Sequence, residues 1–254
     1  MIRLAIILAL FAGASFADTP RVIASLSQNA VSITTDFSGS EIFVYGAIER
    51  ERPVDETDND LGVIITVLGP SSPVTVRKKD RVFGIWANSE SAVIDSAPSF
   101  YALASTAPLG DILSEAENRR TNVTVDNSIH IAAGPRGIED ADAYRKAIIR
   151  LNRGKGSYFD MIGAVEMVGK TLFQTHIQLP ANLVEGNYTA RIFLTKGGEV
   201  IDDFRTGIRV RKVGLERWIY NLAHENSLIY GLLSILVALM AGWGASEVFR
   251  LLRR

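Results

Sequence analysis

Hydrophobic positions follow three regimes along this chain. Unbroken apolar runs stand at its two ends, residues 4–12 (LAIILALFA) and 228–246 (LIYGLLSILVALMAGWGAS). Between them lie two stretches of near-alternation, the signature of half-buried strands, separated by a segment of helical period. In the first stretch AVSITT (30–35), SEIFVYGAIE (40–49) and GVIITVLG (62–69) are rich in β-branched and aromatic residues and bounded by Ser-Gly and Gly-Pro breakers. Val63 to Leu68 is almost continuously apolar, as expected of a strand covered on both faces. VTVRKKD and RVFGIWA (74–87) predict a hairpin, and PSFYALAST a further extended piece.

The helical segment contains two expected helices. PLGDILSEAENR (108–119) has Pro near its first turn and arginine at its end. IEDADAYRKAIIRLN (138–152) puts Ala141, Tyr144, Ile148 and Leu151 on one face; acids crowd its start and Lys146, Arg150 and Arg153 its end, as the helix dipole favours. Strands then resume. Phe173, Thr175, Ile177 and Leu179 share one face, as do Tyr188, Ala190, Ile192 and Leu194; Gly197-Gly198 makes a two-residue turn, and Ile208 and Val210 alternate with Arg209 and Arg211. The expected fold is mainly β: an immunoglobulin-like β-sandwich with a helical insertion at about 108–160, plus one C-terminal transmembrane helix. Two smaller domains meeting near the insertion are the alternative.

The end segments set the expected organisation. Residues 1–17 have the size and flanks of a secretory signal, with Ser15 and Ala17 before the cut. Residues 18–214 form the exported β-rich domain, 215–226 an amphipathic juxtamembrane helix, 227–249 the transmembrane helix and 250–254 a cytoplasmic tail. The 19 uncharged residues 228–246 would rise about 28 Å as a helix, close to the hydrocarbon thickness. Leu215, Trp218, Ile219 and Leu222 fall at i, i+3, i+4 and i+7, a stripe suited to headgroups or to the domain. Tyr230 and Trp243 fit the two aromatic belts, and Arg250, Arg253 and Arg254 the cytoplasmic side. Arg209, Arg211, Lys212 and Arg217 make loop charge ambiguous, so the signal decides the orientation: periplasmic N-terminal domain, single pass, cytoplasmic (inner) membrane. With no Gly or Pro before Gly231, domain and span are expected to be stiffly coupled.

Composition narrows the chemistry. Net charge is −1 and basic residues are scattered, which argues against nucleic acid; the absence of cysteine excludes disulfides, thiolate metal sites and cysteine nucleophiles. His130, His176 and His224 each fall on a polar face, so no metal, cofactor or catalytic residue is assigned. The acidic run Asp55–Asp60 lacks the glutamate a calcium loop needs at its twelfth position and reads as a solvated connection. Gly163 to Thr171 mimics a phosphate loop with one residue too many between the glycines, before a strand instead of a helix. Trp86, Phe100 and Tyr101 read as core, or alternatively as the walls of a ligand cleft.

Small residues Ser234, Ala238, Gly242 and Ser246 recur at four-residue spacing along the anchor, a groove in which another helix can approach closely. Four stretches carry a resemblance: FSGSEIFVYGAI (37–48), PSFYALASTAPL (98–109), LFQTHIQLPANLVEGNYTARIFLTKGGEVI (172–201) and VGLERWIYNLAHENSLIYGLLSILVALMAGWGASEVFR (213–250). With them the chain resembles the alphaproteobacterial putative transmembrane protein family, which has no catalytic residue to carry over. The resemblance implies an accessory role beside an integral membrane protein, a sulfite-exporter-type permease among the candidates. The leading expectation is therefore a non-enzymatic single-span envelope protein contacting the bilayer and either a membrane partner or itself through the anchor. An exported ligand-binding module is the second class, an anchored hydrolase the third.

Overall fold

The computed structural model describes residues 20–50, 61–131 and 141–252. The signal segment 1–17, the acidic run 55–60 and the tail residues Arg253 and Arg254 lie outside the described residues, as do the side chains of Leu215 and Trp218.

The body is built on two facing sheets. One contains β1 (Arg21–Leu26), β3 (Ser40–Glu49), β11 (Leu172–Leu179) and β10 (Glu166–Val168), in the order β1-β3-β11-β10. The other contains β2 (Ala30–Ile33), β4 (Leu61–Leu68), β7 (Tyr101–Ser105), β9 (Tyr158–Ile162), β12 (Gly186–Lys196) and β13 (Glu199–Lys212), in the order β2-β13-β12-β4-β7-β9. The predicted alternation is what closes this sandwich. Ile42, Val44, Phe173 and Ile177 from the first sheet meet Val63, Ile65, Tyr188, Ala190 and Ile192 from the second in one core. The mainly β reading with a C-terminal helix holds. The parallel pairs β2–β13 and β7–β9 and a third sheet are features that the alternation did not signal.

That third layer lies on the outer face of the six-stranded sheet. It comprises the hairpin β5 (Ser71–Val82) and β6 (Ile85–Pro98), the short β8 (His130–Ile131), and the helices α1 (Leu109–Ile112), α2 (Glu115–Thr121), α3 (Val125–Ser128) and α4 (Ala141–Gly154). A second core forms there from Ile64, Tyr101, Leu103 and Phe193 of the sheet with Val123, Val125, Ile148, Ile149 and the hairpin base Val76, Ala92 and Ile94. Being clad on both sides is why β4 reads as an unbroken apolar run: Gly62 to Val67 are all buried.

Three expectations need correction. The helix expected at 108–119 is broken at Leu113, which is extended and buried, while Ser114 caps α2 by accepting the Glu117 N–H at 3.3 Å. In α4 the buried residues are Tyr144, Ile148 and Ile149, whereas Leu151 is exposed; contacts from α3 as well as from β5 and β9 widen the buried arc toward Ile149. Trp86 is not core: it stands exposed near the tip of the β5–β6 hairpin.

Polar anchors lock the outer layer to the sheet. The Arg191 guanidinium on β12 lies 5.2 Å over the Phe193 ring and donates to Thr66 Oγ1 (3.2 Å), Thr121 O (3.2 Å) and Asn122 O (2.7 Å). It thereby satisfies carbonyls at the end of α2, where Asn122 turns left-handed. Burial lowers the Arg191 pKa from its ordinary value. Tyr101 donates to Val123 O at 2.5 Å and Tyr158 to Pro98 O, both buried bonds. Burial pushes the Tyr101 hydroxyl far above the usual phenol range, and that of Tyr158 up to about 12.

Candidate membrane-facing site

Two helices follow the body, α5 (Leu215–Glu225) and α6 (Ser227–Leu252). They are separated by Asn226 alone, whose backbone leaves the helical region (φ −136°, ψ 60°) while its N–H still donates to Leu222 O at 3.1 Å. The stiff continuous coupling expected from the missing Gly and Pro is thus interrupted by one residue. Asparagine has a low helix propensity, so leaving the helical region costs little at that position.

Within α6, Ser227–Ser246 is a 20-residue stretch of mean hydropathy 2.0, none of it buried against the rest of the protein. It rises about 30 Å, matching a bilayer's hydrocarbon core. Tyr230 and Trp243 lie 13 residues apart along it, both exposed, and Arg250 falls in the last turn. Ser234, Ala238, Gly242 and Ser246 are all exposed and share one side by their spacing. The Ser234 hydroxyl donates back to Tyr230 O at 2.8 Å, so its hydrogen bond is satisfied within the helix. On α5, Ile219 is exposed and Leu222 half-buried.

The other candidate residues do not converge. His130 is exposed on β8, His176 on β11 pairs with Glu41 at 3.2 Å and lies against Phe43, and His224 stacks on Tyr220 of its own helix with ring centroids 4.0 Å apart. Among the described residues no three His, Asp or Glu side chains are placed to hold a metal ion. Gly163 to Thr171 contains strand β10 and its turn into β11, with no helix N-terminus to cradle a phosphate. Phe100 points into the inter-sheet core and Tyr101 into the outer one, and Trp86 is in neither, so the three form no common cleft. A groove of about 380 Å³ opens elsewhere, lined by Ser38, Phe159, Met161, Gln178, Leu179 and Pro180, with no charged side chain on its walls.

What the residue pattern missed is the hairpin tip, Val82-Phe83-Gly84-Ile85-Trp86, whose four apolar side chains are all exposed. A signal was present: bulky apolar residues at a turn, where Gly, Asn and Asp are the rule.

The profile of one protein family, described as "Putative transmembrane protein (Alph_Pro_TM)", matches residues 21–251. Among the curated proteins compared, none matches the chain. A solved structure, the sporulation control protein Spo0M from Bacillus subtilis, aligns over 82% of this chain and 55% of its own length at 12% identity, with a TM-score of 0.29. The chain thus spans about half of that protein.

Proposed function

The chain belongs to the Alph_Pro_TM family of putative transmembrane proteins, and from that premise we propose a single-span envelope protein that works by contact, not catalysis. In this reading α6 crosses the cytoplasmic membrane, the β-rich body lies on the periplasmic side, and the basic tail lies in the cytoplasm. The body is the accessory unit of an integral membrane protein, of which a small-anion permease is the candidate that the family resemblance suggests.

The observation that carries this reading is the apolar Ser227–Ser246 stretch, none of it buried against the rest of the protein. Such a surface is stable only in lipid or against another membrane helix. The row Ser234, Ala238, Gly242 and Ser246 is the side on which a neighbouring helix can come closest. Gly242→Ile fills that row without adding polarity. It is expected to abolish lateral crosslinking from a single cysteine introduced in α6 while leaving membrane insertion intact. Undiminished crosslinking would leave α6 as a tether only. Reporter fusions at residue 214 and at the C-terminus test the orientation.

A further inference from the structure

The β5–β6 hairpin leaves the body. Val76 and Ala92 are its last buried residues; from Arg77 to Ser91 every side chain is exposed except the half-buried Asp80. About seven residues per strand at 3.3 Å each make a ribbon of roughly 20 Å beyond the core. Its tip is apolar at the apex and on one face, and carries a tryptophan beside an arginine on the other. Val82 pairs with Ile85 on one face, and Trp86 faces Arg81 on the other. Phe83 at the apex is 100% exposed, Ile85 72% and Trp86 69%. Phe83 and Gly84 have φ of +49° and +85°, the two-positive pattern of a tight hairpin turn. A bulky residue with positive φ is unfavourable locally, so the phenyl ring at the apex is not there for the turn's sake.

Charge surrounds this tip in one sense. Residues 77–90 hold four basic side chains, Arg77, Lys78, Lys79 and Arg81, against two acidic ones. Both acids are engaged within the protein: Asp80 accepts from Ser89 Oγ at 2.5 Å, and Glu90 accepts from the Tyr144 hydroxyl at 3.3 Å and pairs with Lys78 at 3.6 Å. The strand register adds position. Leu68, where β4 runs out toward the hairpin, lies opposite Thr189, and Thr189 lies opposite Gly207. The hairpin base and the end of β13, which passes the chain on to α5 and α6, therefore share one end of the central sheet. Arg209, Arg211 and Lys212 stand exposed at that same end.

We propose that the Val82–Trp86 tip is a second membrane contact, inserting Phe83, Ile85 and Trp86 into an anionic phospholipid surface while the basic stem meets the headgroup phosphates. Aromatic side chains suit the bilayer interface, and basic residues near it add attraction to anionic lipid. Anchoring by α6 keeps the tip at high local concentration, so weak intrinsic affinity is enough. The proposal rests on the body being held beside a bilayer by α6, and its test separates the two.

The chain has no cysteine, so single cysteines can be labelled without background. Full-length protein carrying Ile85→Cys, Leu236→Cys or Glu199→Cys, each labelled with a polarity-sensitive dye, is reconstituted in phosphatidylcholine vesicles with or without phosphatidylglycerol. Doxyl lipids should quench the probes at 85 and 236 and spare the probe at 199, at the opposite end of the sheet. Quenching at 85 should fall without phosphatidylglycerol, and Lys79→Gln with Arg81→Gln should lower the inserted-to-free ratio about 30-fold. Phe83→Asn, which suits the turn and so keeps the fold, should weaken quenching at 85 alone. Quenching at 236 but not at 85 overturns the proposal and leaves the anchor standing; quenching at neither removes both. Equal quenching at 85 in the two lipid mixtures overturns the anionic preference. A probe at 85 shielded from aqueous iodide in native membranes, yet not reached by doxyl lipid, assigns the tip to a protein partner and overturns the proposal too.

Discussion

Two hairpins of this protein turn with nearly the same backbone and opposite chemistry. Between β12 and β13, Gly197 and Gly198 have φ of +58° and +85°; between β5 and β6, Phe83 and Gly84 have +49° and +85°. The first turn is tucked against the helical layer, with Gly198 O accepting the Ser114 N–H at 2.8 Å, and a Cβ on Gly198 would touch Ser114. The second stands in open space, with nothing within 4 Å of a Cβ on Gly84. Where the chain needs only to reverse, it uses glycines; where the same reversal is held out in solvent, it carries a phenylalanine flanked by Val82, Ile85 and Trp86. The first hairpin serves the fold, and the second presents a surface.

The largest expected contrast lies in the side chains of the two hairpins. Phe193→Ala on β12 empties a site in the outer core and should cost about 3–5 kcal/mol, whereas Trp86→Ala on β6 should stay within about 0.5 kcal/mol. Urea unfolding of both variants in mild detergent checks this, and comparable losses would mean that the tip is packed. Next comes pH. Burial moves Tyr158 to about 12 from an ordinary 10, and Tyr101 and Tyr188 move the same way. The folded body therefore holds protons that the unfolded chain gives up. This stability is complete below about pH 10 and is lost as pH climbs toward 12. The urea midpoint should fall across that window, with a shallower fall in Tyr158→Phe.

Smaller effects probe the turns themselves. Gly198→Val places a branched side chain at positive φ against Ser114 and should cost about 2 kcal/mol, seen as a lowered thermal midpoint. Phe83→Asn should do the reverse, raising stability by roughly 0.5 kcal/mol, because asparagine tolerates the left-handed region. A loss on Phe83→Asn would show the ring packing against something in the folded chain.

Much of this architecture was legible from local pattern. The alternating faces of β11 and β12, the glycine turn at 197–198, and the apolar run that marks β4 as covered on both sides all follow from period and propensity within a few residues. The 20-residue apolar helix needs only length and composition. Less legible was the site. Trp86 reads as core because large aromatic residues usually are, and the contrary signal, bulky apolar residues crowded at the Val82–Trp86 turn, does not say how far the ribbon outruns the body. His130, His176 and His224 stand exposed at three separate places. The expected stiff coupling of the last two helices overlooked Asn226, because one residue leaving the helical region alters no periodicity.

Local pattern is enough to show which side chains share a face of each strand, and that one helix is long and apolar enough to cross a membrane. What each face meets depends on pairing between distant segments. Phe100 and Tyr101, adjacent in the chain, enter different cores because helices from 109–154 cover one side of the central sheet and the β3–β11 sheet covers the other. β12 finds β4 more than 120 residues away, as Arg191 opposite Thr66 records. Alternation fixes orientation within a strand, because successive side chains must point to opposite faces. Burial is fixed by the partner, and the partner is chosen by pairing across the whole chain.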